Sequence, residues 1–444
     1  MIGGGPLCRL AAVCLLVALC LPAAPCRADP PAAPAQTQVL TVPVPPPAPA
    51  PAPESSSWSR WLNPATAPFI PVPLIGVDPN SGTTLGLLPT WVATNEDHEI
   101  DRIIAPDVLH NPYFGYGMHA RVYSYDSSDE QSSVIAGIQE RVERQFDAEY
   151  QIGRLREQRW SATYSLDYNR DGTPRFFGVG NNSPAIDQTN YTNGQAQAQA
   201  QLGLNLTHTW QLQYTVRMLE DDVTPGTLER IATLESHFGR ILGVGTTKEL
   251  LNRLAIVYDT RDDLTVPSRG MLWVAYGGLA SRGGAFNNSL FSESGVDGRG
   301  FWPLDANTVL ASHVALRYLL SSHAVPFWAL SGIGGGESVI GGEQPLRGFG
   351  AGRFYDRDSF STSFELRHKA LSFNADSTLV DVEVGPFVDL GRVFARNSTF
   401  PIDQLHQVYG VGFRGIARPF VVGYVDIGHG SEGFAVFTGL NYPF

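Results

Sequence analysis

Cysteine is missing from all but the first 26 residues, where Cys8, Cys14, Cys20 and Cys26 are the only four in the chain. Beyond them there is no thiolate for a metal site or a covalent nucleophile, and a thiol-free chain suits an oxidising compartment in which stray cysteines mispair. Lysine is nearly absent as well, with only Lys248 and Lys369. The net charge of −12 excludes general nucleic-acid binding, which relies on cations to neutralise phosphates. The ten histidines are scattered, without metal-ligand spacing. There is no GxSxG elbow and no P-loop. Two GxGxxG matches, Gly410-Val411-Gly412 with Gly415 and Gly428-His429-Gly430 with Gly433, do not open a helix in a βαβ unit and read as strand and turn glycines. No catalytic residue, metal or cofactor is expected, and the chain is not read as an enzyme.

Long apolar runs are also lacking. The longest, Leu10 to Leu21, is shorter than the roughly 20 residues a spanning helix needs. Preceded by Arg9, broken by Pro22 and followed by the small residue Ala28, it reads as a secretory signal peptide over residues 1–28. Residues 29–68 are rich in Pro and Ala, as in Val44-Pro45-Pro46-Pro47-Ala48-Pro49, and such a segment extends rather than burying a core. It is expected to be a periplasmic linker.

Alternation fills residues 69–444. Gln195, Gln197, Gln199, Gln201 and Asn205 interleave with Ala196, Ala198, Ala200, Leu202, Leu204 and Leu206. A few residues on, Gln211, Gln213, Thr215 and Arg217 interleave with Trp210, Leu212, Tyr214, Val216 and Met218. Successive side chains point to opposite faces of a strand, so this is a hairpin with one polar and one apolar face. Segments around Trp160–Tyr168 and Leu310–Leu320 repeat the pattern. A soluble sandwich alternates too. Two features favour a membrane: aromatics (Trp160, Tyr168, Trp210, Tyr318) fall near the ends of the apolar faces, and the segments approach the roughly 9–11 residues that a tilted strand takes to cross.

In lipid an open edge would leave backbone groups unpaired, so the sheet must close. The expected fold is all-β: a transmembrane antiparallel β-barrel of about 16 strands, an even number as in bacterial barrels. Phe434, Val436, Leu440, Tyr442 and the terminal Phe444 share one face of the last segment. Tyr442 and Phe444 fit a signal for outer-membrane assembly machinery, and a Gram-negative outer membrane reached by the secretory route is the expected location.

Four motifs carry a resemblance. The first is Tyr258-Asp259-Thr260-Arg261-Asp262 with Val266-Pro267-Ser268-Arg269-Gly270; taken alone, it is a charged β-turn. The second is Leu346-Arg347-Gly348-Phe349-Gly350, within a Gly-rich stretch. The third is Glu365 in Ser363-Phe364-Glu365-Leu366, and the fourth is Phe387-Val388-Asp389-Leu390-Gly391. Together they resemble the BamA/TamA (bacterial surface antigen) family of outer-membrane barrels, over most of the chain after residue 70 and most strongly after residue 255. Arg175-Phe176-Phe177-Gly178-Val179-Gly180-Asn181 and Gly410-Val411-Gly412-Phe413-Arg414 are similar to other stretches of that family, with Arg414 facing inward.

The resemblance implies that Arg347, Gly348 and Phe349 form the tip of a long loop folded into the lumen. Leu346 departs from the family's usual Val. A planar, permanently charged guanidinium in a confined lumen needs carboxylates, which Glu365 and Asp389 are placed to supply, while Gly391 leaves a hollow in the wall. Two roles stay open for this lock: bracing the barrel, or handling a substrate directly. Family members ordinarily carry periplasmic POTRA domains; here about forty Pro-rich residues stand in that place, so the likeness is to a short branch without them.

The implied function is insertion or transport of protein or lipid at the outer membrane. The implied partners are outer-membrane lipids and lipopolysaccharide, the assembly machinery for the barrel's own insertion, and client polypeptides or lipids. A passive channel or structural barrel is the alternative. Pro71, Pro73, Gly76 and Pro443 hint at a weak seam between first and last strands, because Pro cannot donate to a ladder.

Overall fold

The computed structural model describes residues 70–95, 100–283, 289–321, 325–335, 346–375, 378–395, 402–417 and 421–440. The expected signal peptide and linker lie outside the described residues, as do Tyr442, Pro443 and Phe444 and the side chains of Pro71 and Pro73.

Eighteen strands form one closed antiparallel barrel, within two of the sixteen expected. They are β1 Ile70–Asp78, β2 Gly82–Thr94, and β3, which runs Ile100–Ile104 and resumes at Asp107–Asn111. Next come β4 Gly115–Ser127, β5 Glu130–Gln139, β6 Arg144–Ile152 and β7 Trp160–Asp171. Then follow β8 Thr189–Asn205, β9 Trp210–Pro225, β10 Gly245–Asp259 and β11 Gly270–Arg282. The set ends with β12 Ser289–Pro303, β13 Thr308–Ser321, β14 Asp358–Ala375, β15 Thr378–Phe394, β16 His406–Ala417, β17 Val421–Gly430 and β18 Gly433–Leu440.

Each strand pairs with its sequence neighbour, and the glutamine hairpin forms as expected, with Gln195 opposite Asp221 and Ala198 opposite Met218. The cylinder closes where β18 meets β1, at Val77 and Val436. Among the described residues no helix is long and apolar enough to cross a membrane.

The connections assign the two ends. Long ones at residues 172–188, 226–244, 322–357 and 395–405 share one end; turns such as 128–129, 206–209 and 304–307 share the other. Barrels of this kind carry short periplasmic turns and longer extracellular loops, so the long connections face outward from the cell.

Burial separates inside from outside. On β14, Phe364 and Leu366 are exposed while Ser363, Glu365 and Arg367 are buried; on β7, Tyr164, Leu166 and Tyr168 are exposed. A soluble sheet would show the opposite pattern, so the exposed apolar face belongs to lipid and the buried polar face to the lumen. Trp160, Tyr168 and Trp210 stand exposed at strand ends, as a girdle requires. Tyr318 instead packs edge-on against Phe394, with centroids 5.9 Å apart.

Apolar side chains also gather at the extracellular mouth. Phe176, Tyr191, Val223, Leu234 and Phe327 cluster there, drawn from the connections after β7, β9 and β13 and from the mouth ends of β8 and β9.

Candidate functional site

Arg347 sits at the tip of the long connection after β13, of which residues 336–345 lie outside the described residues. The tip is held in a tight turn: both the Gly348 and the Phe349 amides donate to the Leu346 carbonyl, at 2.7 and 3.1 Å. Leu346 adopts φ +64°, the left-handed region that costs a residue with a Cβ, and its side chain is fully buried. That backbone turns the Arg347 side chain onto the inner wall.

Arg347 is completely buried. Its backbone amide and Nε both donate to Asp389 Oδ2 at 3.0 Å, and Nη2 donates to Asp389 Oδ1 at 2.9 Å. Nη1 donates to Glu365 Oε2 at 2.9 Å and to Asp426 Oδ2 at 3.1 Å. Nη2 also reaches Ser363 Oγ at 3.1 Å, whose hydroxyl in turn donates to Asp389 at 2.6 Å. The guanidinium lies 3.6 Å above the Phe387 ring.

Two wall arginines complete the set. Arg414 donates to Asp426 at 2.5 Å and to Glu365 at 3.0 Å, and Arg367 lies 3.4 Å from Glu365. Three arginines therefore face three carboxylates, and the charges cancel in a dry site, where an unpaired ion would be costly. Burial pulls the Arg347 guanidinium down from its ordinary pKa. The charges of Asp389, Glu365 and Asp426 outweigh that and hold it well above, so it is a fixed cation.

The wall under the tip is bare. A Cβ on Gly428 would come within 2.1 Å of the Arg347 carbonyl oxygen, so only glycine lets the tip lie this close. Gly391 faces Ile333 and Leu346 of the same connection, which fill its hollow. Leu346, Phe349, Phe354, Ile333, Phe387, Val393 and Val408 form the apolar collar around the pairing.

The same connection is tied at other points. Arg317, on β13, forks onto Glu293 of β12 at 2.9 Å and donates to the Ala329 and Leu330 carbonyls at 3.2 and 3.3 Å. Arg353 donates to Glu432 at 2.7 Å and to the Ser183 carbonyl at 2.9 Å, and stacks 4.1 Å from Phe177. The stretch Arg175–Asn181 is part of this mouth: Gly180 donates to the Tyr355 carbonyl at 2.7 Å, and Asn181 Oδ1 accepts from Val393 at 3.0 Å.

Arg347, Gly348, Phe349, Glu365, Asp389 and Gly391 thus meet in one place. The turn motif does not join them. It forms its own network at the periplasmic end, where Arg261 donates twice to Asp259, at 3.0 and 2.9 Å, and Arg156 adds a contact at 3.3 Å. Asp262 accepts from the Ser268 and Arg269 amides at 2.9 and 3.0 Å. Burial raises the Asp262 pKa, and the bond from the Ser268 hydroxyl together with those from the two amides lowers it by more, leaving its carboxyl below the usual range. Tyr258 stacks at a tilt on Trp210, 4.8 Å away. Val266, beyond the motif, packs on Ile416 of β16, so this turn leans into the periplasmic mouth.

Sequence reasoning missed Asp426, Ser363 as a ligand, and Arg367. Asp426 alternates correctly within Tyr424-Val425-Asp426-Ile427, but its two arginine partners come from other strands and from the loop. The second glycine repeat, read as strand and turn glycines, contains Gly428, on which the tip rests.

The Omp85 superfamily domain matches residues 130–417. Nothing matches among curated proteins. Among solved structures, BamA from Haemophilus ducreyi lacking POTRA domains 1–3 is 14% identical with a TM-score of 0.49, covering 80% of this chain and 75% of that one. CdiB from Escherichia coli is 12% identical with a TM-score of 0.47, covering 83% of this chain and 62% of that one. CdiB from Acinetobacter baumannii is 12% identical at 0.46, covering 84% and 59%. The chain therefore spans about three-quarters of that BamA and about three-fifths of each CdiB. With its closed strand barrel and a family match over well over half its length, this chain belongs to the Omp85 superfamily of outer-membrane barrels.

Proposed function

We propose that this barrel aids insertion or translocation of polypeptide or lipid at the outer membrane by parting between β18 and β1, while the Arg347 tip braces the wall formed by β14 to β17. The observation that carries this reading is the unequal strength of the joints. Among the described residues β1 pairs with β2 along its whole length, from Ile70–Thr90 to Asp78–Gly82, whereas it meets β18 at the single pair Val77–Val436. A joint with so short a ladder is where a closed sheet opens at least cost. The lock ends one strand short of that joint: Asp426 and Gly428 flank Ile427 of β17, which pairs with Val436, so the brace stiffens the wall beside the opening.

In this reading the signal peptide delivers the chain and is removed, and the assembly machinery inserts it. Membrane lipids and client chains are its partners, and it assigns no catalytic step. Passive permeation is disfavoured by the apolar cluster of Phe176, Tyr191, Leu234 and Phe327 at the mouth.

The test is a reversible tether. Val77→Cys with Val436→Cys places two thiols directly opposite, within disulfide reach of neighbouring strands. The oxidised protein should lose its support of client-barrel insertion into liposomes and regain it on reduction. Full activity while tethered would overturn the opening. Steady ion conductance without any effect on insertion would point to the channel instead.

A further inference from the structure

Strands β7 to β10 carry a feature on their outer face that neither the lock nor the seam uses. At the extracellular end, one outward-facing register row runs Arg170 on β7, Gly194 on β8, Asp222 on β9 and Thr246 on β10. The next row toward the membrane runs Tyr168, Ala196, Glu220 and Lys248. Below it, Ala198 lies between Leu166 and Met218, and Ala200 between Tyr164 and Val216. Small outward residues flanked by large ones leave a furrow two strand spacings across, roughly 10 Å, running down from the charged rows into the apolar band.

A cavity of about 190 Å³ opens at its head, between Tyr168 and Arg170 on one side and Glu220 and Asp222 on the other. Thr192 lines it and is only 2% exposed, yet its hydroxyl has no hydrogen-bond partner, a rare state for a buried donor.

The charges around the cavity are unspent. Arg170 is exposed and makes no hydrogen bond or ion pair among the described residues. Lys248 pairs with Glu220 at 2.9 Å, which uses one of the three N–H groups of an ammonium. Asp222 accepts from Thr246 at 2.8 Å and from no other described residue. The two cations stand three strand spacings and one register row apart, roughly 16 Å between backbones, with the carboxylates between them. That arrangement brackets a head group about the length of a disaccharide with an anion at each end.

We propose that this groove binds the bis-phosphorylated disaccharide head of lipopolysaccharide. One phosphate lies on Arg170 and the other on Lys248. The sugars cross the bare strand at Gly194, where their hydroxyl and amide groups donate to Asp222 and the Thr192 hydroxyl donates to a ring substituent. One acyl chain lies over Ala196, Ala198 and Ala200. The long connections put these rows in the outward leaflet, the one that carries lipopolysaccharide in an outer membrane. The order cation, carboxylate, cation selects this lipid. A glycerophospholipid with one phosphate cannot engage both cations, and it leaves the carboxylates between them without a row of donors.

The test titrates the purified full chain in mild detergent, by native mass spectrometry, with bis-phosphorylated lipid A, mono-phosphorylated lipid A and phosphatidylglycerol. The bis-phosphorylated form should bind about tenfold more tightly than the mono-phosphorylated one, the scale of one charge-assisted contact, with phosphatidylglycerol below both. Arg170→Gln and Lys248→Gln should each remove most of that preference, and Arg170→Lys should keep it. Heat-resistant gel mobility establishes that each variant is folded. Should a charge variant fail that check, Thr192→Val, which changes no charge, decides instead by weakening the binding of both lipid A forms. Equal binding of the two lipid A forms, phosphatidylglycerol binding as tightly as either, an unchanged preference in either folded charge variant, or unchanged binding in Thr192→Val would overturn the proposal.

Discussion

The carbonyl of Arg347 rests on Gly428, so close that a methyl group at that position would stand 2.1 Å from the oxygen. The neighbouring atom is backbone, which cannot swing aside as a side chain can. The contact ties the fixed cation of the loop to the penultimate strand by shape as well as by charge.

Gly428→Ala should therefore lift the tip and weaken its pairing. Overpacking of this kind costs about 1–3 kcal/mol. The folded barrel should lose heat-resistant mobility on gels at a lower temperature than the wild type. An unchanged transition would mean that the tip does not rest on this wall in the membrane.

Arg347→Ala leaves Asp389, Glu365 and Asp426 with only Arg414 and Arg367 to balance them. Breaking a buried ion cluster by removing one partner costs about 3–5 kcal/mol, and Asp389→Ala should cost a similar amount for the opposite reason. The double variant should lose markedly less than the two single losses together, because each removes the other's unpaired charge. Urea unfolding in detergent measures all three, and strict additivity would show that the two residues do not pair.

Glu143, in the extracellular turn between β5 and β6, supplies a pH dependence. Burial, and next the charge of Asp171, push its carboxyl up to about 8, and it accepts from the Gly172 amide at 2.8 Å. The folded protein holds this proton more tightly than the unfolded chain does. Its contribution is therefore full below the ordinary carboxylate range, about 4.3, and is lost as pH rises through about 8. The turn borders a cavity of about 290 Å³. Proteolysis there should quicken between about pH 5 and about pH 8, the span between the ordinary and the raised value, and level off above it. Glu143→Gln should flatten the rise, and a slope that survives in this variant would assign it to another group.

Much of this architecture was legible because a barrel wall is a local pattern. Gln195 to Gln201 against Trp210 to Arg217 gives the hairpin and its two faces from alternation alone. The strand number was harder to read. In β3, Ala105-Pro106 interrupts the ladder between Ile104 and Asp107, because proline donates no hydrogen bond, and β5 and β6 are short.

The pairing of Arg347 with Glu365 and Asp389 came from motif resemblance and from the demand that a confined cation find carboxylates. Asp426 could not be found that way, since its place beside Arg347 depends on how three neighbouring strands stagger.

The distances along the chain between the groups of the lock carry a consequence for folding. Arg347 meets Glu365 18 residues later, Asp389 42 residues later and Asp426 79 residues later, all downstream. Strut and supporting wall all lie between Arg347 and Asp426, so they can assemble while the rest of the chain is still unstructured. Among the described residues the ends of the barrel are joined by the remote Val77–Val436 pair, so the loop entropy of closing the ring is spent last. The carboxyl-terminal third is thus built to set first and to serve as the template onto which the earlier hairpins are added.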